Sequence, residues 1–208
     1  DRGDIGPGFS LNDHLAGFAA ASSTMAALLA RDRSGVGQHI DMAQLEVGTY
    51  SIGSAALNWL SNGIVAQPNG NLDGLQDHVP NEVYECVDGF IAITATSDEE
   101  WGRLCEVVNN ESLKVHKTEE QRRANRDDIN RALADWVGSM KGSDIERLLQ
   151  SVKVPAGRVQ DAGHLVNEDP QLAERGFWRK VEHQIFGQRS VDTFPVLLDG
   201  VRPPTNLL

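Results

Sequence analysis

The sequence predicts an α/β fold on three observations. Between residues 11 and 61 a helix of small residues, a tight turn, a strand candidate and a second helix follow one another, the order of a domain layered from helices and sheet. An Asp-Gly pair at Asp88-Gly89 sits between two segments of alternating polarity, a strong short-range hairpin signal. The 208 residues are 40% hydrophobic and 24% charged, close to the globular average, and a chain of this size buries a core without metal or disulfide help.

The stretch Leu15 to Ala30 is mostly Ala, with Ser22, Ser23 and Thr24 in its middle. It is too short and too weakly apolar for a membrane span, which takes about 20 apolar residues. Small residues all round predict instead a helix packed closely on several sides. Asn12-Asp13 mark its start, and Arg31 to Gly35 its end. His39 to Met42 is a strand candidate, and Ala43 to Ser61 is helical in period despite Gly48 and Gly53. From Asn62 to Pro80 the chain is rich in Gly, Asn, Asp, Pro and Gln, which predicts a long loop or a crossing between domains.

Beyond that loop, Glu82 to Cys86 and Phe90 to Ala95 should pair as antiparallel strands around Val87-Asp88-Gly89. Ser97 followed by Asp98, Glu99 and Glu100 opens a helix whose buried stripe is Trp101, Leu104, Cys105 and Val108. Further helices are predicted over Thr118 to Met140, with Ile129, Leu133, Trp136 and Val137 inward, and over Ser143 to Ser151. A short strand around Arg158-Val159, helical turns to Asn167 and from Pro170 to Arg175, and strands over Trp178 to Glu182 and Arg189 to Phe194 complete the chain.

Charge narrows the function. A formal net charge of −11 argues against nucleic acid or an anionic membrane as partner, since both need clustered cations. The two cysteines, Cys86 and Cys105, form no metal-ligand pattern, and none of the six histidines shares a helix face with another ligand type at metal spacing. No metal site is expected. Free thiols and the lack of a charged, apolar leader fit a cytoplasmic protein, and the start at Asp1 without Met leads us to expect an internal piece of a longer one.

Asp13 stands out chemically. At the start of a packed helix, unpaired N–H groups and the positive end of the dipole favour negative charge, and a carboxylate so placed can attack an activated carbonyl. From position alone, capping is the simpler role. His14 is a conceivable acid/base neighbour, although adjacent helical positions point apart. The run Asn69-Gly70-Asn71-Leu72-Asp73-Gly74 could offer backbone donors to a carbonyl or phosphate, yet lacks the Gly-x-Gly-x-x-Gly spacing.

The blocks Leu11-Asn12-Asp13-His14-Leu15-Ala16-Gly17 and Arg31-Asp32-Arg33-Ser34-Gly35-Val36-Gly37-Gln38-His39-Ile40-Asp41-Met42 resemble the class III CoA-transferase (CaiB/BaiF) family. Similar, too, are Pro80 to Gly89, Trp101 with Leu104-Cys105, and Val154-Pro155-Ala156-Gly157-Arg158-Val159. The resemblance implies part of a doubly wound large domain (1–60), a smaller α+β domain (61–150) and a segment returning toward the large domain (151–208), with the CoA-binding N-terminal half absent. It implies that Asp13 is the catalytic aspartate, that Asn12, His14 and Gly70 contact substrate, and that CoA thioesters are substrates, with no separate cofactor. The implied partners are an acyl-CoA and a carboxylic acid, within an interlocked homodimer.

Two other readings accompany it. An α-methylacyl-CoA racemase would use the same aspartate for proton exchange, with Asp98 where a second carboxylate would lie. A non-catalytic assembly half of such an enzyme would need Asp13 only as a cap.

Overall fold

The computed structural model describes residues 10–67, 70–71 and 77–203, and the chain divides into two compact units, Asp1–Asp77 and His78–Leu208. The segment Asp1 to Phe9, whose Gly and Pro content predicts a loop, lies outside the described residues.

The first unit is helical where described. Helix α1 (Leu11–Ser34) has Ser10 as its N-cap, two residues before the Asn12-Asp13 pair expected to mark its start, and Gly35 as its C-cap, whose left-handed backbone sends its N–H to Arg31 O. Helix α2 (Gln44–Ser51) and helix α3 (Gly53–Asn62) replace the single helix predicted over 43–61. The break comes at Ile52, which closes one helix and opens the next, beside the glycine that most weakens helical propensity there. Residues 36–43 join no sheet among the described residues, so the strand expected at His39 to Met42 is not formed. Sequence can favour extended backbone, but a strand exists only with a neighbour to pair with. The close packing expected around α1 is not found among the described residues: Ala16 alone is buried in it, while Phe18, Met25 and Leu29 are exposed.

The second unit carries the hydrophobic core. Strands β1 (Asn81–Cys86) and β2 (Gly89–Thr94) pair antiparallel from Asn81↔Thr94 to Cys86↔Gly89, the predicted hairpin. Gly89 has φ 143°, a conformation open to glycine and strained for other residues. Helices α4 (Asp98–Val108), α5 (Glu111–Lys114), α6 (Glu119–Ala124), α7 (Arg126–Val137) and α8 (Gly142–Ser151) follow. Strand β3 (Ala156–Arg158) then pairs antiparallel with β2, which makes β2 the centre of a three-stranded sheet. Alternation sends Tyr84, Cys86, Ile91 and Ile93 to one face, where they meet Trp101, Leu104, Cys105, Ile129, Leu133, Val137, Ile145 and Leu149 in one buried cluster. The predicted stripe of α4 is buried in full.

Helices α9 (Ala162–Asn167) and α10 (Pro170–Glu174) precede a second hairpin, β4 (Trp178–His183) and β5 (Gly187–Asp192). Each of the two helices is capped by an aspartate, Asp161 bonding the His164 N–H and Asp169 the Leu172 N–H. The overall mix of helix and strand agrees with the predicted class.

Candidate active site

Asp13 lies in the first turn of α1, at the third helical position. Its backbone N–H bonds Ser10 O at 3.1 Å, and the side chain of Ser10, the N-cap residue, makes no capping bond. Asp13 is therefore not the cap that its residue type suggested. Its Oδ1 instead accepts a hydrogen bond from Gln44 Nε2, the first residue of α2. The described residues leave Asp13 exposed, without the enclosing pocket that covalent chemistry at a carboxylate calls for.

The neighbouring candidates fall out differently. Asn12 packs its side chain against Gly48 of α2, where a Cβ would come within 2.8 Å of Asn12 Nδ2 and 2.9 Å of Oδ1. His14 Nδ1 lies 2.9 Å from Ser10 O, so that nitrogen carries the proton and the ring is anchored to the helix start. Gly70 sits in a turn with φ 66°. Its partner in the predicted Gly-rich run, Gly74, lies outside the described residues. Gln44 was missed by sequence reasoning. Residue type gave no signal, and its 31-residue separation from Asp13 is bridged only by the return of α2 against α1.

In the second unit Asp98, the racemase candidate, is the first residue of α4 and pairs with Arg122 Nη1 at 2.7 Å. The Arg122 side chain is 1% exposed against 56% for Asp98. Its Nε donates to Val79 O at 2.8 Å, Nη1 also reaches Lys117 O at 3.3 Å, and the guanidinium stacks 5.5 Å from the Trp101 ring centre. Asp98 is thus the exposed partner of a buried arginine. Close by, Glu119 meets His78 at 2.7 Å and Arg123 at 2.9 Å. Burial opposes the Glu119 charge, but these two partners outweigh it and its pKa is lowered. Burial pushes the Cys105 thiol up to about 11, against a smaller opposing influence of Arg122, which makes it a poor nucleophile. No cluster of His, Cys, Asp or Glu among the described residues could hold a metal ion, and none of the described helices is long and apolar enough to cross a membrane.

Residues 1–206 match CoA-transferase family III. The chain belongs to that family. Among curated relatives of this family III chain, the probable CoA-transferase Rv1866 of Mycobacterium tuberculosis is 29% identical over 85% of it and 22% of its own length. The succinate–glutarate CoA-transferase of Agrobacterium fabrum is 27% identical over 81% of this chain and 42% of its own. A CaiB/BaiF family protein from Brucella suis superposes with a TM-score of 0.79 at 25% identity, covering 97% of this chain and 52% of that one. The chain therefore spans less than half the length of these curated relatives, and its fold is part of the class III CoA-transferase fold.

Proposed function

We propose that the intact protein containing this chain transfers CoA from an acyl-CoA to a carboxylic acid, with Asp13 as the covalent carrier. The observation that carries this reading is the state of Asp13. It is a carboxylate in the first turn of α1 that does not cap the helix and that accepts a hydrogen bond from Gln44, in a chain of CoA-transferase family III. The positive end of the α1 dipole favours negative charge at that place.

The chemistry runs in two-electron steps. Asp13 attacks the thioester carbonyl, CoA leaves as thiolate, and a mixed anhydride forms. The thiolate then attacks the aspartyl carbonyl, which releases the donor acid as a carboxylate and leaves an aspartyl-CoA thioester. The acceptor carboxylate repeats the sequence in reverse and leaves as its CoA ester. No redox group or metal is called for. We propose Asn12, His14 and Gly70 as the substrate contacts around this carboxylate, a cytoplasmic location, and no nucleic-acid or membrane partner. The exposed Phe18, Met25, Leu29 and Leu45 favour a covering partner surface, and we propose a homo-oligomer.

The relative named for succinate and glutarate makes succinyl-CoA with glutarate the first pair to assay. Glutaryl-CoA should form, and hydroxylamine or borohydride should trap an enzyme thioester at Asp13. Turnover unchanged in Asp13→Asn would reduce this residue to an assembly role. The racemase reading has less support, because Asp98 is held by Arg122. Proton exchange on a 2-methylacyl-CoA with acceptor acids omitted would revive it.

A further inference from the structure

We propose that Gln44 is a positioning residue that gives the two carboxylate oxygens of Asp13 separate tasks: Oδ1 stays the carbonyl oxygen throughout, and Oδ2 is the oxygen that attacks. This rests on the covalent role of Asp13 proposed above.

Two different observations support it. Gln44 Nε2 donates to Asp13 Oδ1 and to no other described group for which a bond is resolved. Gly48, one turn further along α2 and on the same face, lies so close to Asn12 that a Cβ would stand 2.8 Å from the Asn12 amide. Helix α2 is thereby pressed against the first turn of α1 at two successive levels, Gly48 over Asn12 and Gln44 over Asp13. The bond to Asp13 is held by the seating of a helix as well as by a side-chain rotamer.

A neutral amide suits this task through the whole cycle. A lysine would pair with the carboxylate and lose that partner once the aspartyl group is acylated and uncharged. The Gln44 N–H can bond Oδ1 as carboxylate oxygen, as anhydride or thioester carbonyl, and as the oxyanion of the tetrahedral states between them. With Oδ1 held, Oδ2 forms the bond to the acyl carbon as CoA thiolate departs. When the thiolate attacks Cγ, negative charge collects on Oδ1, beside the Gln44 donor. As that charge returns to the carbonyl, the bond from Cγ to Oδ2 breaks, and Oδ2 leaves within the donor acid. The acceptor carboxylate then supplies the new oxygen at the Oδ2 position. Each turnover therefore replaces one oxygen of Asp13, always the same one unless the carboxylate rotates.

The test follows that oxygen. The intact protein is cycled for many turnovers with succinyl-CoA and excess glutarate carrying heavy oxygen in its carboxylates, and the peptide containing Asp13 is weighed. Wild type should gain one heavy oxygen and stop there, whereas Gln44→Ala, with a carboxylate free to rotate, should gain two. The same variant should lose about 10²- to 10³-fold in kcat, the scale for removing one oxyanion donor, with KM for succinyl-CoA little changed. Labelling counts completed turnovers, so a slow variant is incubated longer until turnover matches. Two heavy oxygens in wild type, or only one in Gln44→Ala, would overturn the assignment. Should Gln44→Ala fail to fold, Gln44→Met, of similar length and without a donor, takes its place with the same two heavy oxygens expected and the same single one overturning the assignment. No heavy oxygen in wild type would overturn the covalent role of Asp13 itself, which separates that failure from a failure of Gln44.

Discussion

Asp13 and Asp98 are both acids near helix starts, yet their surroundings separate them. Asp13 is exposed and meets a neutral amide, so Asp13→Asn keeps shape and loses only the nucleophile. Its folding stability should change by less than about 0.5 kcal/mol, as for surface changes. Transfer should fall at least about 10³-fold, the scale for removing a group that bonds covalently to substrate. Chromatographic assay of CoA esters and a thermal melt check both. Asp98 answers the buried Arg122, whose Nη2 finds no hydrogen-bond partner among the described residues. Asp98→Asn should cost about 1–3 kcal/mol of second-unit stability, the range for weakening a charged partner of a buried group. Denaturant titration measures it, and an unchanged midpoint would contradict the structural role. Sequence alone could not reveal Arg122 as buried. Its partners Val79 and Asp98 are 43 and 24 residues away, and a basic residue in a polar helix reads as solvated.

At the scale of elements, turns and caps are legible in the sequence because they are local, and bonds between distant residues are not. The hairpin at Asp88-Gly89 was legible because turn chemistry is local. The second task of Asp88 was not: its Oδ1 accepts the Gly142 N–H at 2.7 Å, 54 residues away, and so caps α8 from outside the helix. That bond, ahead of a smaller opposing burial effect, lowers the Asp88 pKa. A carboxylate lowered in the folded state adds stability above its unfolded pKa, about 3.9, and the gain is lost as pH falls through the folded value. The second unit should therefore lose stability as pH drops below about 4, and Asp88→Asn should flatten that dependence. Urea midpoints across pH 2.5 to 6, a range spanning about two units around the unfolded carboxylate pKa, would show it; parallel curves for both proteins would refute it. The helix predicted over 118–140 is divided at Asn125, with Thr118 and Gln121 forming a capping box at the start of α6. The inward residues that predict this helix, Ile129, Leu133, Trp136 and Val137, all lie beyond the break, so the polar run before them carries no periodic signal of it.

The whole chain joins two units of unequal self-sufficiency. The second has a continuous core from Val79 to Val154, and its apolar positions are legible because α4, α7 and α8 each show one stripe. The first has only Ala16 buried in its three helices, although α1 carries the small-residue composition of a closely packed helix. That composition predicts surroundings that the described residues do not supply, so an enclosure around Asp13 is legible in neither the sequence nor this unit. Burial of apolar area is the main source of folding free energy, so the two units should open independently in the 208-residue chain. Hydrogen exchange should find amides of β2, α4, α7 and α8 strongly protected and those of α1 to α3 exchanging by local opening, at least about tenfold faster per 1.4 kcal/mol of missing stability. In the intact protein the α1 to α3 amides should become protected, since the apolar face they present would be covered there. Leu104→Ala supplies the control: removal of this buried side chain should cost about 2–5 kcal/mol in the second unit and leave exchange in α1 to α3 unchanged. Equal protection of both units in the 208-residue chain, or a Leu104→Ala effect that spreads into α1, would show that the two share one cooperative core.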